Sequence, residues 1–148
     1  MPRSRPSTST TPRRWPILEN EPRWLTLDDI LVIHRDQIAR YGGLDGVKVL
    51  GLIESAAHSP HNLWAHDGEQ DLLTLAARLG IAIARNHGFQ DGNKRAGVAA
   101  MLTFLLFNGH FLQMNDDTSL GRLIEGVLEG HISEMQFVED VAPFVVEV

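Results

Sequence analysis

The chain has 148 residues, a net charge of −6, 43% apolar residues and no cysteine. That length supports one domain with a real core, and the lack of cysteine excludes a disulfide framework and thiolate zinc sites and fits a reducing cytoplasm. Residues 1–24 carry five Arg against Glu19 and Glu21, which leaves 8 basic and 17 acidic residues, a net of −9, in the remainder; an acidic domain is a poor general nucleic-acid binder.

Residues 1–23 are rich in Ser, Thr, Pro and Arg and read as a disordered basic tail ahead of one helical domain at 24–148. The start is basic but no apolar stretch follows, so no secretory leader is expected. Thr26-Leu27-Asp28-Asp29 resembles a capping box. Leu27, Ile30, Leu31, Ile33, His34 and Ile38 continue as a helical stripe that ends at Gly42-Gly43. His34 reads as a core-edge or surface residue of that helix rather than a ligand. A second short helix is expected over about Val47 to Ala57, followed by a loop at 58–69. That loop contains His58, His61, Trp64 and His66, but the irregular spacing and the absence of cysteine make a zinc site a weak reading.

Asp71 to Asn86 and Gly92 to Phe107 are apolar on most faces, as buried helices are. They predict a central buried helical hairpin, with Asn108-Gly109 closing the second helix through a left-handed cap. Phe89, in the connection, is expected to point into the core and pin the loop. Val98 to Phe107 is too short to span a bilayer, and no membrane association is expected. Further helices are predicted from about Thr118 to Glu129, capped by Thr118 or Ser119, and from about Ser133 to Pro143. No strand-rich pattern appears. The fold class is all-α, a compact single-domain bundle of about six helices.

The chemistry concentrates in His87-Gly88-Phe89-Gln90-Asp91-Gly92-Asn93-Lys94-Arg95. A helix N-terminus presents unpaired N–H groups and partial positive charge. Gly92 admits an anion close to the backbone. Asn93 can donate its amide to phosphate or cap the helix. Lys94 and Arg95 add full positive charge, and Arg95 can bind phosphate through two parallel bonds. Asp91 would repel phosphate unless a cation stood between them, and Mg²⁺ is typically held by one or two carboxylates plus phosphates. His87 is a candidate general base. These residues point to transfer of a phosphate-containing group from a nucleotide to an alcohol; their chemistry alone leaves phosphoryl and nucleotidyl transfer open. The segment is not a P-loop, because the G-x-x-x-x-G-K-[ST] spacing is absent.

This loop resembles the signature of the Fic/Doc superfamily, and within it the Doc (death-on-curing) branch. Fic proteins carry H-x-F-x-[D/E]-G-N-G-R-x-x-R; the Doc branch has Lys at the second Gly and lacks the final Arg, as Lys94 and Val98 do here. Leu25 to Tyr41-Gly42-Gly43 resembles the first Doc helix, and Gly51-Leu52-Ile53-Glu54-Ser55-Ala56 resembles the Doc segment G-L-L-E-S-A. The likeness covers about residues 24 to 141. Two departures stand out: Gly88 replaces the usual Pro, and Lys48-Val49 replaces the usual Arg-Asp pair.

The resemblance implies a toxin of a type II toxin–antitoxin pair: a cytoplasmic protein kinase that uses ATP and Mg²⁺ to phosphorylate a translation factor, elongation factor Tu being the family's known target. It implies His87 as general base and Arg95 beside it in catalysis. Asp91 would hold the metal, and Gly92, Asn93, Lys94 and Arg95 would bind phosphates. Residues 58–69 resemble the flap that aligns the target. A cognate Phd-like antitoxin would fold a disordered segment onto an apolar groove; nucleic acid would be met only through that antitoxin. The alternatives are a Fic-type protein adenylyltransferase, against which Lys94 and Val98 argue, and a non-catalytic module that only binds an antitoxin.

Overall fold

Two helices that are apolar nearly all round cannot face water, and they set the architecture. In a computed structural model, which describes residues 17–114 and 117–148, α3 (Leu72–Asn86) and α4 (Asn93–Phe107) pack against each other as the central hairpin. From α3, Leu72, Leu73, Leu75, Leu79 and Ile81 are essentially fully buried; from α4, Ala100, Met101, Phe104 and Leu105 are. Burying each of the larger side chains contributes about 1.5–3 kcal/mol. The helices approach closely at Gly80 and Gly97, where a Cβ on Gly97 would stand 2.4 Å from the Gly80 carbonyl oxygen.

Four more helices wrap this pair: α1 (Leu27–Tyr41), α2 (Leu50–Asp67), α5 (Asp117–Leu128) and α6 (Glu134–Val141). The domain is all-α apart from one small antiparallel pair, β1 (His110–Leu112) with β2 (Val145–Glu147), in which Phe111 faces Val146. The capping box at α1 is formed as expected. The Asp29 N–H donates to Thr26 Oγ1 at 3.1 Å, and the Thr26 N–H donates to Asp29 Oδ2 at 2.8 Å. Ser133 caps α6 by accepting from the Gln136 N–H, and the helix ends at Val141 in a short 3₁₀ turn, Ala142–Phe144.

Several expectations are corrected. The second helix begins at Leu50, not Val47, and runs through the predicted loop at 58–69 as far as Asp67. Pro60 lies inside it. A mid-helix proline costs about 3 kcal/mol in isolation, but Pro60 is itself buried, and Leu63 and Trp64 beyond it pack on the core. Tertiary packing thus overrides a local breaker signal. Thr118 and Ser119 lie within the first turn of α5 rather than ahead of it. The β pair was not expected, because its strands are short and far apart in sequence. Most of the expected tail lies outside the described residues, but its last part is bonded to the domain: Ile17 bridges Asp71, and the Leu18 N–H donates to the Gln70 carbonyl at 2.7 Å. Among the described residues no helix is long and apolar enough to cross a membrane.

Candidate active site

The loop between α3 and α4 is fixed from three sides. His87 ends α3 in the left-handed conformation, φ 53°, the one non-glycine described residue with positive φ. The next residue is anchored by the segment before α2: the Lys48 and Val49 N–H groups both donate to the Gly88 carbonyl, at 2.8 and 3.0 Å. Val47 bridges Phe89, and the Gln90 N–H donates to the Gly46 carbonyl at 3.0 Å. Residues 46–49 therefore run antiparallel beside the loop. The segment adjoining the loop is this one and not 58–69, which corrects the flap assignment; His61 of α2 instead meets Trp24 and Glu21.

From α1, His34 supports the loop. Its ring is 2% exposed and stacks on Phe89 with centroids 3.7 Å apart. Its Nε2 lies 2.7 Å from the Asp91 carbonyl oxygen, which accepts the ring proton. His34 is therefore a buried support of the site, not a peripheral helix residue. Asn93 closes the loop from within. Its Oδ1 accepts from the Phe89 N–H at 3.0 Å, and its Nδ2 donates to the Phe89 carbonyl at 3.1 Å. Asn93 thus directs its side-chain amide into the loop, and the helix cap falls to Gly92, φ 74°.

Asp91 points its carboxylate outward. Oδ1 accepts from the Gly92 N–H at 2.8 Å, and Oδ2 accepts from the Leu44 N–H at 3.2 Å. These two bonds, Leu44's the stronger influence, hold the carboxyl below the usual aspartate range, with Arg95 and His34 adding to the effect. Each oxygen keeps a lone pair for a cation. Among the described residues no set of three His, Cys, Asp or Glu converges on a metal. The donors fit a hard ion completed by phosphates and water, as Mg²⁺ is.

The cations come from the first turn of α4. The first intrahelical bond is Ala96 N–H to the Gly92 carbonyl, so the amides of residues 93–95 precede the hydrogen-bond ladder. Arg95 donates through Nη2 to the Gly42 carbonyl at 2.9 Å, and its guanidinium carbon lies 5.9 Å from the Tyr41 ring centre. Gly43 leaves the room this needs: a Cβ there would be 2.8 Å from Asp91 Oδ2 and 3.2 Å from Arg95 Nη2. Lys94 is ion-paired with Glu125 of α5, which holds the Glu125 carboxyl below its ordinary value.

His87, Asp91, Gly92, Asn93, Lys94 and Arg95 all line one cleft of about 550 Å³, whose far wall is Glu125, Leu128 and Glu129 of α5. A second hollow of about 530 Å³ adjoins it between α1, α4 and α5, walled by Val98, Ala99 and Leu102 with Gln37, Tyr41 and Arg122. The two share Lys94, Arg95 and Glu125. The sequence reading missed Glu125, Glu129, the supporting role of His34 and the role of residues 44–49. Only the Gly42-Gly43 pair signalled that the α1 end was spatially constrained.

The sequence model of the Fic/DOC family matches residues 24–105. The chain is 33% identical over 111 residues to "Protein kinase doc" of Escherichia phage P1, covering 75% of this chain and 86% of that protein. It is 40% identical over 70 residues to "Toxin Doc" of Mycolicibacterium smegmatis, covering 47% of this chain and 54% of that protein. The family match takes in His34, the 44–49 segment and the whole loop, but not α5 and its Glu125.

Proposed function

This chain belongs to the Fic/DOC family, and on that premise we propose that it is a Doc-type toxin. In this reading it is a cytoplasmic protein kinase that moves a phosphoryl group from ATP to a serine or threonine hydroxyl of elongation factor Tu, and a cognate Phd-like antitoxin restrains it. The observation that carries the reading is the convergence of His87, Asp91 and the first turn of α4 on one cleft. The names of the two relatives, one a kinase and one a toxin, support it.

His87, exposed on the cleft wall, takes the proton of the target hydroxyl as that oxygen attacks the terminal phosphorus. The new O–P bond forms as the bond to the leaving diphosphate oxygen breaks. The amides of residues 93–95 and the free donors of Arg95 receive the phosphate oxygens. The cleft's own charges are Lys94 and Arg95 against Asp91, Glu125 and Glu129, so a polyphosphate enters best with a divalent cation. Mg²⁺ held at Asp91 would neutralise phosphate charge. Leu44, Val47 and Val49 stand exposed beside the loop and offer the target segment an apolar shelf.

The second hollow suits the antitoxin. An amphipathic helix laid there by its apolar face would cover the Val98 and Leu102 wall and reach Lys94 and Arg95, which the cleft needs for phosphate. Incubation with ATP labelled in either the γ- or the α-phosphate tests the reading. Label on elongation factor Tu from γ alone supports it; label from α assigns nucleotidyl transfer instead.

A further inference from the structure

Gly88 is buried in the loop and its φ is not positive, so it is not glycine for conformational freedom. Space is the reason. A Cβ on Gly88 would lie 2.4 Å from Ile53 Cγ1, 3.3 Å from Ile53 Cδ1 and 3.2 Å from the Ile53 backbone nitrogen. Ile53, in the first turn of α2, is 2% exposed. The same end of α2 holds both neighbours of His87. The Asn86 side chain donates to the Leu52 carbonyl at 3.1 Å, and the Gly88 carbonyl accepts from Lys48 and Val49. His87 is thereby bracketed while it adopts a backbone conformation that side-chain-bearing residues rarely take. Such a conformation persists where the surroundings over-determine it.

We propose that Ile53 is a positioning residue for His87: its side chain fills the place beside Gly88 and, through that contact, fixes the left-handed turn that presents the His87 imidazole to the cleft. The catalytic part of this inference rests on the proposed role of His87 as base; the geometric part does not. A β-branched side chain is stiff at χ1, and such a wall holds one loop position. The contact also explains why a side chain at 88 would act at a distance. It would press on Ile53, shift the carbonyl that Lys48 and Val49 hold, and turn His87 out of place.

The test is a double-substitution cycle on the full chain, with Gly88→Ala, Ile53→Ala and the pair. The His87 ring resonances are assigned by their loss in His87→Gln. Phosphoryl transfer is followed as kcat and KM for ATP. The expected result is that Gly88→Ala moves the His87 resonances and lowers kcat about tenfold or more, with KM little changed. Adding Ile53→Ala returns the resonances toward wild type and recovers most of kcat. A Gly88→Ala protein with wild-type resonances and kcat overturns the proposal, as does a loss that the Ile53 change does not relieve. If Ile53→Ala fails to fold, Ile53→Leu replaces it, since its single γ-carbon can rotate away from residue 88. A wild-type protein that transfers no phosphate would sink the kinase reading, while the resonances would still decide the role of Ile53.

Discussion

Lys94, in the first turn of α4, is ion-paired with Glu125 in the middle of α5, and both line the cleft and the adjoining hollow. The cation expected to meet phosphate is therefore engaged by a carboxylate when the cleft is empty. An exposed pair of this kind is weak, so phosphate displaces Glu125 at modest cost. Glu125→Gln should lower KM for ATP–Mg²⁺ about two- to fivefold and leave kcat nearly unchanged. Lys94→Ala should raise KM. Steady-state kinetics of both variants check this, and a Glu125→Gln protein with weaker ATP binding would contradict it.

The left-handed His87 backbone makes a stability prediction. A non-glycine residue there costs about 1–2 kcal/mol, and glycine avoids that strain. His87→Gly should be more stable than His87→Ala by about 1 kcal/mol, and both should lose transfer by about 10²–10⁴-fold. Urea denaturation and the transfer assay on the same samples test both halves. An active His87→Ala protein would remove the mechanism.

Asp91 gives a pH dependence. Its folded pKa lies below the ordinary value because the Leu44 and Gly92 N–H groups bond the charged form. Its contribution to stability is therefore fully present above the ordinary aspartate range and is lost as pH falls through the lowered folded value. The stability difference between wild type and Asp91→Asn should be flat near neutrality and shrink only in acid. Denaturant midpoints measured across pH would show it; a difference that grows on acidification would refute it.

Val49 stands at the N-cap of α2 with no side-chain hydrogen bond to the helix. This is the position where the resembling proteins usually carry Asp, which gives that residue a structural explanation. Restoring it should stabilise: Val49→Asp is expected to add about 1 kcal/mol, read as a higher urea midpoint at unchanged slope.

Gly97 faces Gly80 across the central hairpin, where a Cβ would meet the Gly80 carbonyl. Gly97→Ala should destabilise by about 1–3 kcal/mol, despite alanine's better helix propensity. A thermal melt at or above the wild-type midpoint would show that the hairpin opens more easily than its packing indicates.

The loop from His87 to Arg95 was legible because its chemistry is local: base, acid, glycine and cations follow one another directly into a helix. The hairpin and the α1 cap were legible for the same reason, through apolar periodicity and a four-residue capping pattern. Pro60 misled because a proline signal is local, whereas the packing of Trp64 and Leu63 that carries α2 past it is not. Glu125 was not legible, since an acidic residue on a separate helix looks like a solvated one until the fold sets it against Lys94. His34 illustrates the same point, because its partner, the Asp91 carbonyl, belongs to the backbone. Gly88 looked like a loosening of the loop; in the fold it is the residue that fits against Ile53.

The central claim is that this cleft transfers a single phosphoryl group with His87 as its base. The most direct test is the intact mass of elongation factor Tu after incubation with the protein and ATP–Mg²⁺, with His87→Ala as the control. The account predicts a gain of one phosphate, roughly 80 Da, that is absent with the variant. A gain of a whole nucleotide monophosphate, or an equal gain with His87→Ala, would contradict it.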